Sequence, residues 1–254
     1  MHPGAITQHI DVAEVLLFAF GVFFVLLVIY LHREGKREGY PLVATGKVPG
    51  RNTGLFGMPS PKTFLLHDGT TRSFPNGGHD PFPVNASKRG NDDGDPLTPN
   101  GDPMTAQVGP GAYAMRADVP DMTHHGEVKI VPMRSAPGFF IPSEDKSPVG
   151  LPVVGGDGRI AGKISDVWVD RAEIVIRYLE VEIAGGTQHV LLPMNFANVT
   201  GRNVQVHAIY ASQFAHVPGV KTPGRITFLE EERVMAYYGA GKLYAHPSRA
   251  EPLL

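Results

Sequence analysis

"RIAGKISDVWVDRAEIVIRYLEVEIAGG", residues 159–186, decides how the C-terminal part of this chain folds. Two runs rich in β-branched and aromatic residues, Ile160–Asp170 and Glu173–Ile183, flank a polar turn and end in glycines. That is the pattern of two strands joined as a hairpin. Placing Asp170 opposite Glu173 fixes a predicted register. On one face Ile164 meets Leu179, Asp166 meets Arg177 and Trp168 meets Val175; on the other Lys163 meets Glu180 and Ser165 meets Tyr178. Apolar residues face apolar ones. The two charged pairs, Asp166 with Arg177 and Lys163 with Glu180, are opposite in sign, and such pairs stabilise a register by about 0.2–1 kcal/mol each.

Asp166, Asp170 and Glu173 stand where a buried strand would carry apolar side chains, so their role needs an account. Asp166 is most simply a structural ion pair with Arg177. Asp170 and Glu173 face each other at the turn, and like charges this close raise at least one pKa and titrate as a unit. Such a pair could handle protons near neutral pH; a solvated turn is the plainer alternative. Catalysis by paired carboxylates would need a substrate cleft, and a tight hairpin end offers none.

Short strands are predicted around Val190–Pro193, Val204–Ala208 and Ile226–Phe228, which favours a small antiparallel barrel. "LEEERVMAYYGAG" (229–241) reads as a short C-terminal helix. Glu230, Glu231 and Glu232 suit the positive end of its dipole, and Gly239 or Gly241 is placed to stop it.

The chain has 254 residues, a formal charge of -2 and no cysteine. The charge argues against nucleic-acid binding, and the absence of cysteine excludes disulfides and thiol chemistry. No GxSxG, P-loop, HExxH or dinucleotide fingerprint is present; "GRIAGK" and "GAGK" lack Walker spacing.

Val12–Leu31 forms an apolar block whose one charge is Glu14. Twenty helical residues rise about 30 Å, the thickness of a bilayer's hydrocarbon core. A cleaved signal peptide fits less well, because "MHPGAITQHID" carries no Lys or Arg and no small-residue cleavage site follows the block. Arg33, Lys36 and Arg37 follow directly. The positive-inside bias places residues 32–254 in the cytoplasm and the N-terminal tail outside. The three cations read either as this topology signal or as contacts to anionic lipid headgroups.

Residues 41–150 hold sixteen of the twenty-three prolines, too many for long helices or sheet interiors. Phe56, Phe64, Leu65, Leu66 and Phe82 are more apolar than a solvated linker requires, which points to an extended segment laid along a partner. "THHGE" (123–127) is a second titratable cluster. Along an extended chain His125 and Glu127 share a face, whereas His124 points away. The predicted organisation is a tail over 1–11, a transmembrane helix over 12–31, a Pro/Gly-rich extended segment over 32–105 and a mainly-β domain with a C-terminal helix over 106–254.

With these parts in order, the chain resembles the H subunit of purple-bacterial photosynthetic reaction centres. The resemblance runs through "REGYPL" (37–42), "PKTF" (61–64), "GDPM" (101–104), "VGPGAYAMR" (108–116), "KIVPM" (129–133), "GLPV" (150–153), "AGKISDVWVD" (161–170), "RYLEVE" (177–182), "LLPM" (191–194) and "LEEERVMAYYGAGKLYA" (229–245). It implies a single N-terminal transmembrane helix and a cytoplasmic PRC-type β-barrel in a bacterial inner, chromatophore-type membrane. It also implies a non-catalytic subunit that binds no pigment as its main task, and no metal-ligating residue is assigned in this chain. Bacteriochlorophyll, bacteriopheophytin, quinones, non-haem iron and carotenoid belong to the partner subunits. Those partners are the L and M subunits, with an antenna ring and a cytochrome subunit as further neighbours. The implied role is to stabilise that core, shield its quinone sites and conduct protons to the secondary quinone through Asp170 and Glu173. The family's proton entrance has a His-x-His pair. Here His125 matches the first position, Glu127 stands at the second, Thr123 replaces an upstream acid, and His124 is a neighbour able to substitute. A membrane-anchored scaffold with no proton-transfer role is the alternative.

Overall fold

The structure is a computed structural model that describes residues 11–40, 42–43, 51–77, 84–91 and 95–250. Of the predicted N-terminal tail, residues 1–10 lie outside the described residues, as does Phe82. The chain divides into two compact units, residues 1–83 with 90–95, and residues 84–89 with 96–254.

In the first unit, helix α1 spans Val12–Glu34, and none of its residues is buried by the described residues, so most of its apolar surface is exposed. It is long and apolar enough to cross a membrane. Asp11 caps it, its side chain accepting from the Glu14 backbone N–H at 2.8 Å, which satisfies one of the free donors at the helix start. The helix runs three residues beyond the predicted Leu31 and ends in a tight turn, Gly35–Arg37. Strands β1 (Leu42–Val43) and β2 (Arg51–Asn52) pair antiparallel, as do β3 (Lys62–Leu65) and β4 (Thr71–Phe74).

Two of the three cations after the span are not available to lipid headgroups. Lys36 is buried, its ammonium donating to backbone carbonyls of residues 53–57. Arg37 forks onto Glu34 at 2.7 and 2.9 Å and donates to the carbonyls of Ser60 and Phe74. Lys62 closes the knot with Glu34 at 2.7 Å. Arg33 alone of the three is exposed. The headgroup reading fails for Lys36 because the returning arm supplies its acceptors.

In the second unit, β5 (Ala86–Lys88) and β6 (Leu97–Pro99) form a separate hairpin. The main sheet has seven strands: β7 (Ile130–Pro132), β8 (Pro152–Val154), β9 (Ile160–Asp170), β10 (Val175–Ile183), β11 (His189–Pro193), β12 (Asn198–Val199) and β13 (Val204–Gln205). Its order is β11-β10-β9-β8-β13-β12, with β7 also on β9. β13 joins β8 in parallel and the other pairs are antiparallel. The 226–228 stretch is not a strand. Ile226 is buried, and Thr227 instead starts α2 (Phe228–Tyr244) through a capping box with Glu230.

Neither Gly239 nor Gly241 stops α2. The helix continues to Tyr244, and both glycines serve close packing: a Cβ on Gly239 would lie 2.6 Å from the Pro110 carbonyl oxygen, and one on Gly241 2.5 Å from that of Ala208. The core between sheet and helix is built from fully buried Val167, Leu179, Leu192, Ile209, Phe214 and Tyr238.

The hairpin forms, but in a different register. Asp170 pairs with Val175, Asp166 with Glu180 and Lys163 with Glu182. The cause is Asp170 itself. Its Oδ1 accepts from the backbone N–H groups of Ala172 and Glu173 at 3.0 and 2.9 Å, and its carbonyl accepts from the Ile174 N–H. This side-chain-made turn widens the loop to Arg171–Ile174, with Ile174 at φ 56. Arg177 and Ser165 then fall at breaks in the ladder, where pairing slips between Ile176 and Tyr178 and between Glu180 and Val181. The predicted pairs Asp166–Arg177 and Lys163–Glu180 are therefore wrong in partner. Lys163 bonds Glu182 at 3.2 Å, and the other three residues enter separate networks.

Candidate functional site

Asp170 is fully buried at the end of β9, where an ionised carboxylate is tolerated only if every lone pair is engaged. Beyond the two backbone donors on Oδ1, its Oδ2 meets Arg177 at 3.2 Å and Lys129 at 3.4 Å. Glu173, half in solvent, bonds the same two cations at 3.1 Å each. Lys129 precedes β7 and also reaches Asp121 at 3.4 Å. The site is thus a square of two acids and two bases, with a third acid at its rim.

This corrects the expected electrostatics. Asp170 and Glu173 are not a bare repelling pair, because Lys129 and Arg177 each bridge the two. Burial alone would push the Asp170 carboxyl up, but the Glu173 and Ala172 N–H groups, the Lys129 charge and the Arg177 guanidinium outweigh it. The Asp170 carboxyl is held below its ordinary range. Lys129 is correspondingly raised, chiefly by its bond to Glu173 and by the charge of Asp170, against the cost of burial.

Residues 123–127 do not run as an extended strand. The Thr123 N–H donates to the Glu127 carbonyl at 2.7 Å and the Gly126 N–H to that of Thr123, closing a turn between the bridge partners Met122 and Val128. His125 and Glu127 therefore do not share a strand face. The two exposed histidines instead lie ring to ring, their centroids 5.5 Å apart, and Glu127 pairs with Arg171 at 3.2 Å. Arg171 also donates to the Val128 carbonyl, which ties this turn to the β9–β10 loop. Among the described residues, no group of three or more His, Asp or Glu side chains could hold a metal ion.

A second network lies farther along the hairpin. Arg134 Nη1 donates to Asp166 at 2.7 Å and Glu180 at 3.0 Å, and the Trp168 indole N–H donates to Glu180 at 2.7 Å. His189 Nδ1 is 3.0 Å from Glu180. Burial opposes ionisation of Glu180, yet the indole and the guanidinium hold it below its ordinary range. Arg134, Trp168, Glu180 and His189 line a cavity of about 570 Å³ together with Val190, Leu191, Val220 and Pro223.

Lys129 and Arg134 were not singled out in the sequence, and Glu231 was read only as part of the acidic first turn of the C-terminal helix. Lys129 and Arg134 flank β7, whose pairing to β9 no local pattern announces. Glu231 belongs to an acidic triplet whose members part company in the fold. Glu230 caps α2, Glu231 accepts from the Tyr178 hydroxyl at 2.8 Å, and Glu232 lies 3.5 Å from Arg116.

Two stretches match described protein families. Residues 4–135 match the photosynthetic reaction centre, H-chain N-terminal region, and residues 143–213 match the PRC-barrel domain. The first covers over half of the chain and takes in α1, the arm, the His124–His125 turn, Lys129 and Arg134. The second takes in β8 to β13, and with them Asp166, Asp170, Glu173, Arg177 and Glu180. An apolar N-terminal helix, an arm knotted to its end and a mainly-β domain of PRC-barrel type occur in that order, and the chain belongs to the photosynthetic reaction centre H-chain family.

Proposed function

We propose that this chain caps the L and M subunits of the reaction centre on the cytoplasmic side, shields their quinone sites, and carries protons toward the secondary quinone. The observation that carries this reading is the Lys129–Asp170–Glu173–Arg177 cluster set among exposed apolar side chains. Ile174, Val175 and Met122, at or beside the cluster in the chain, are 76%, 44% and 48% exposed. Ile174 is moreover held in the left-handed region that β-branched residues avoid. An exposed apolar rim around a charged centre suits a surface that another subunit covers.

Within this reading the residues divide their work. His124, His125 and Glu127 collect protons at the solvent side. Asp170, engaged by five donor contacts and depressed in pKa, is the fixed anion that holds Lys129 and Arg177 in place. Glu173, half-exposed and bonded to both cations, is the solvent-facing carboxylate of the relay. α1 anchors the chain in the bacterial inner membrane with its N-terminus periplasmic. The pigments, quinones, iron and carotenoid reside in the partner subunits, and an antenna ring and cytochrome are neighbours this arrangement allows.

The test is the rate of the second, proton-coupled electron transfer to the secondary quinone in assembled complexes. Glu173→Gln should slow it strongly, and Asp170→Asn should slow it while also loosening the cluster. A second reading, a scaffold without proton transfer, is favoured by the full engagement of Asp170. It predicts impaired assembly with unchanged transfer rates for both variants.

A further inference from the structure

Lys36 poses a question that the family role leaves open. A buried ammonium is costly unless its donors are satisfied, and Lys36 is only 2% exposed. Its described partners are the backbone carbonyls of Thr53 at 2.8 Å, Leu55, and Gly57 at 3.3 Å, together with the Tyr40 ring 5.8 Å away. Three N–H donors meet three carbonyl oxygens, which is the full donor capacity of the group.

The loop is shaped for this. Carbonyls of alternate residues converge on one point because the chain between them takes left-handed conformations: Gly54 at φ 64, Phe56 at φ 62 and Gly57 at φ 63. Gly54 is needed twice over, since a Cβ there would be strained and would lie 3.3 Å from the Lys36 ammonium. Phe56 adopts its conformation without glycine's freedom, its ring edge-on to His32 at 5.8 Å. Converging backbone carbonyls are the surroundings that replace the hydration shell of ammonium or potassium ions.

We propose that residues 53–57 form a cation-binding loop whose resident ligand is the Lys36 ammonium, and which takes a free ammonium or potassium ion when that charge is removed. Lys36 is then a positioning residue: it folds the arm back onto the end of α1, and with Arg37 and Lys62 sets where the chain leaves the helix. The inference stands apart from the proton route and does not depend on it.

The exposed Leu55 and Phe56 are chymotrypsin sites inside the loop, and Phe140, 76% exposed, is a control site in the other unit. In the full-length chain held in lipid vesicles, Lys36→Met should speed cleavage at Leu55 and Phe56 by about tenfold, the effect of losing charge-assisted hydrogen bonds that hold a local segment closed. Cleavage at Phe140 should not change. Ammonium or potassium chloride should return the loop cleavage toward the wild-type rate, and choline chloride at equal ionic strength should not. Gly54→Ala, which keeps the lysine and spoils the loop, should be cleaved faster with no rescue by either ion. An unchanged rate in either variant overturns the proposal, as does faster cleavage of Lys36→Met that neither ion reverses. Should Lys36→Met fail to insert, the Gly54→Ala rate decides.

Discussion

Asp166 and Glu180 are cross-strand partners, two buried carboxylates face to face, and the single guanidinium of Arg134 spans them at 2.7 and 3.0 Å. Like charges in directly opposed positions destabilise a sheet, so this register depends on a residue outside both strands. Arg134→Met should lower the stability of the chain by about 2 kcal/mol, less than a fully buried pair would cost because the arginine is half-exposed. The pH dependence should change sign locally. In the wild type, the depressed Glu180 pKa gives stability that is present above the ordinary value of 4.5 and is lost as pH falls through the folded value. Without Arg134 the buried Glu180 carboxylate faces Asp166 with no guanidinium between them, which raises it, so acidification through that range should restore stability. Thermal unfolding over a pH series measures both.

Asp170→Asn removes the anion on which Lys129 and Arg177 converge. Asparagine keeps an acceptor for the turn N–H groups, so the loop should survive while the charge balance fails. A loss of about 2 kcal/mol is expected, the scale for a buried charge-assisted network. Because the folded Asp170 pKa is lowered, its contribution is complete above the ordinary 3.8 and disappears as pH falls through the folded value. The difference between wild type and Asp170→Asn should therefore shrink on acidification. A difference that is constant with pH would show that the carboxylate's charge is not what stabilises the cluster.

The membrane span, both long strands and the terminal helix were legible because each rests on a local pattern: an uninterrupted apolar run, β-branched alternation, an acidic first turn. The acids of the site were legible too, as charges in an apolar strand. Their partners were not. Asp170 turns the chain with its own side chain, and that turn together with the two slips in the ladder displaces every predicted pair, so Arg177 leaves Asp166 for Asp170 and Glu173. Lys129 and Arg134 arrive through β7, whose three residues carry no signal for which strand they join. The cations after the span read as a surface cluster, because nothing local showed that residues 53–57 return to enclose Lys36.

Gly241 tests whether packing overrides helix propensity. In an exposed helix interior Gly→Ala stabilises by about 1 kcal/mol. Here the new Cβ would meet the Ile209 side chain at 2.4 Å and the Ala208 backbone oxygen at 2.5 Å, and that same carbonyl accepts from Arg249 at 2.8 Å. Backbone cannot rotate away as a side chain can. Gly241→Ala should destabilise by about 2 kcal/mol, the cost of overpacking minus the propensity gain. A raised melting temperature would mean that α2 can slide on its bed.

Glu231 and Tyr178 carry a carboxylate pH response that runs the other way. Burial raises the Glu231 carboxyl; the Tyr178 hydroxyl and the charges of Arg177 and Arg116 oppose the shift without cancelling it, and Asp121 adds to it. A folded carboxyl above its ordinary 4.5 binds a proton that the unfolded chain has released. Its contribution is complete below 4.5 and is lost as pH rises through the folded value. Glu231→Gln keeps a hydrogen-bonding side chain and removes that loss. In the chain free of partner subunits it should melt at or above the wild-type temperature at neutral pH, with the gap closing on acidification. Tyr178→Phe should cost about 1 kcal/mol through the missing donor, and should steepen the fall with pH because the ionised carboxylate loses its one described hydrogen bond. A Glu231→Gln variant less stable than wild type at neutral pH would show that the carboxylate is ionised and stabilising there.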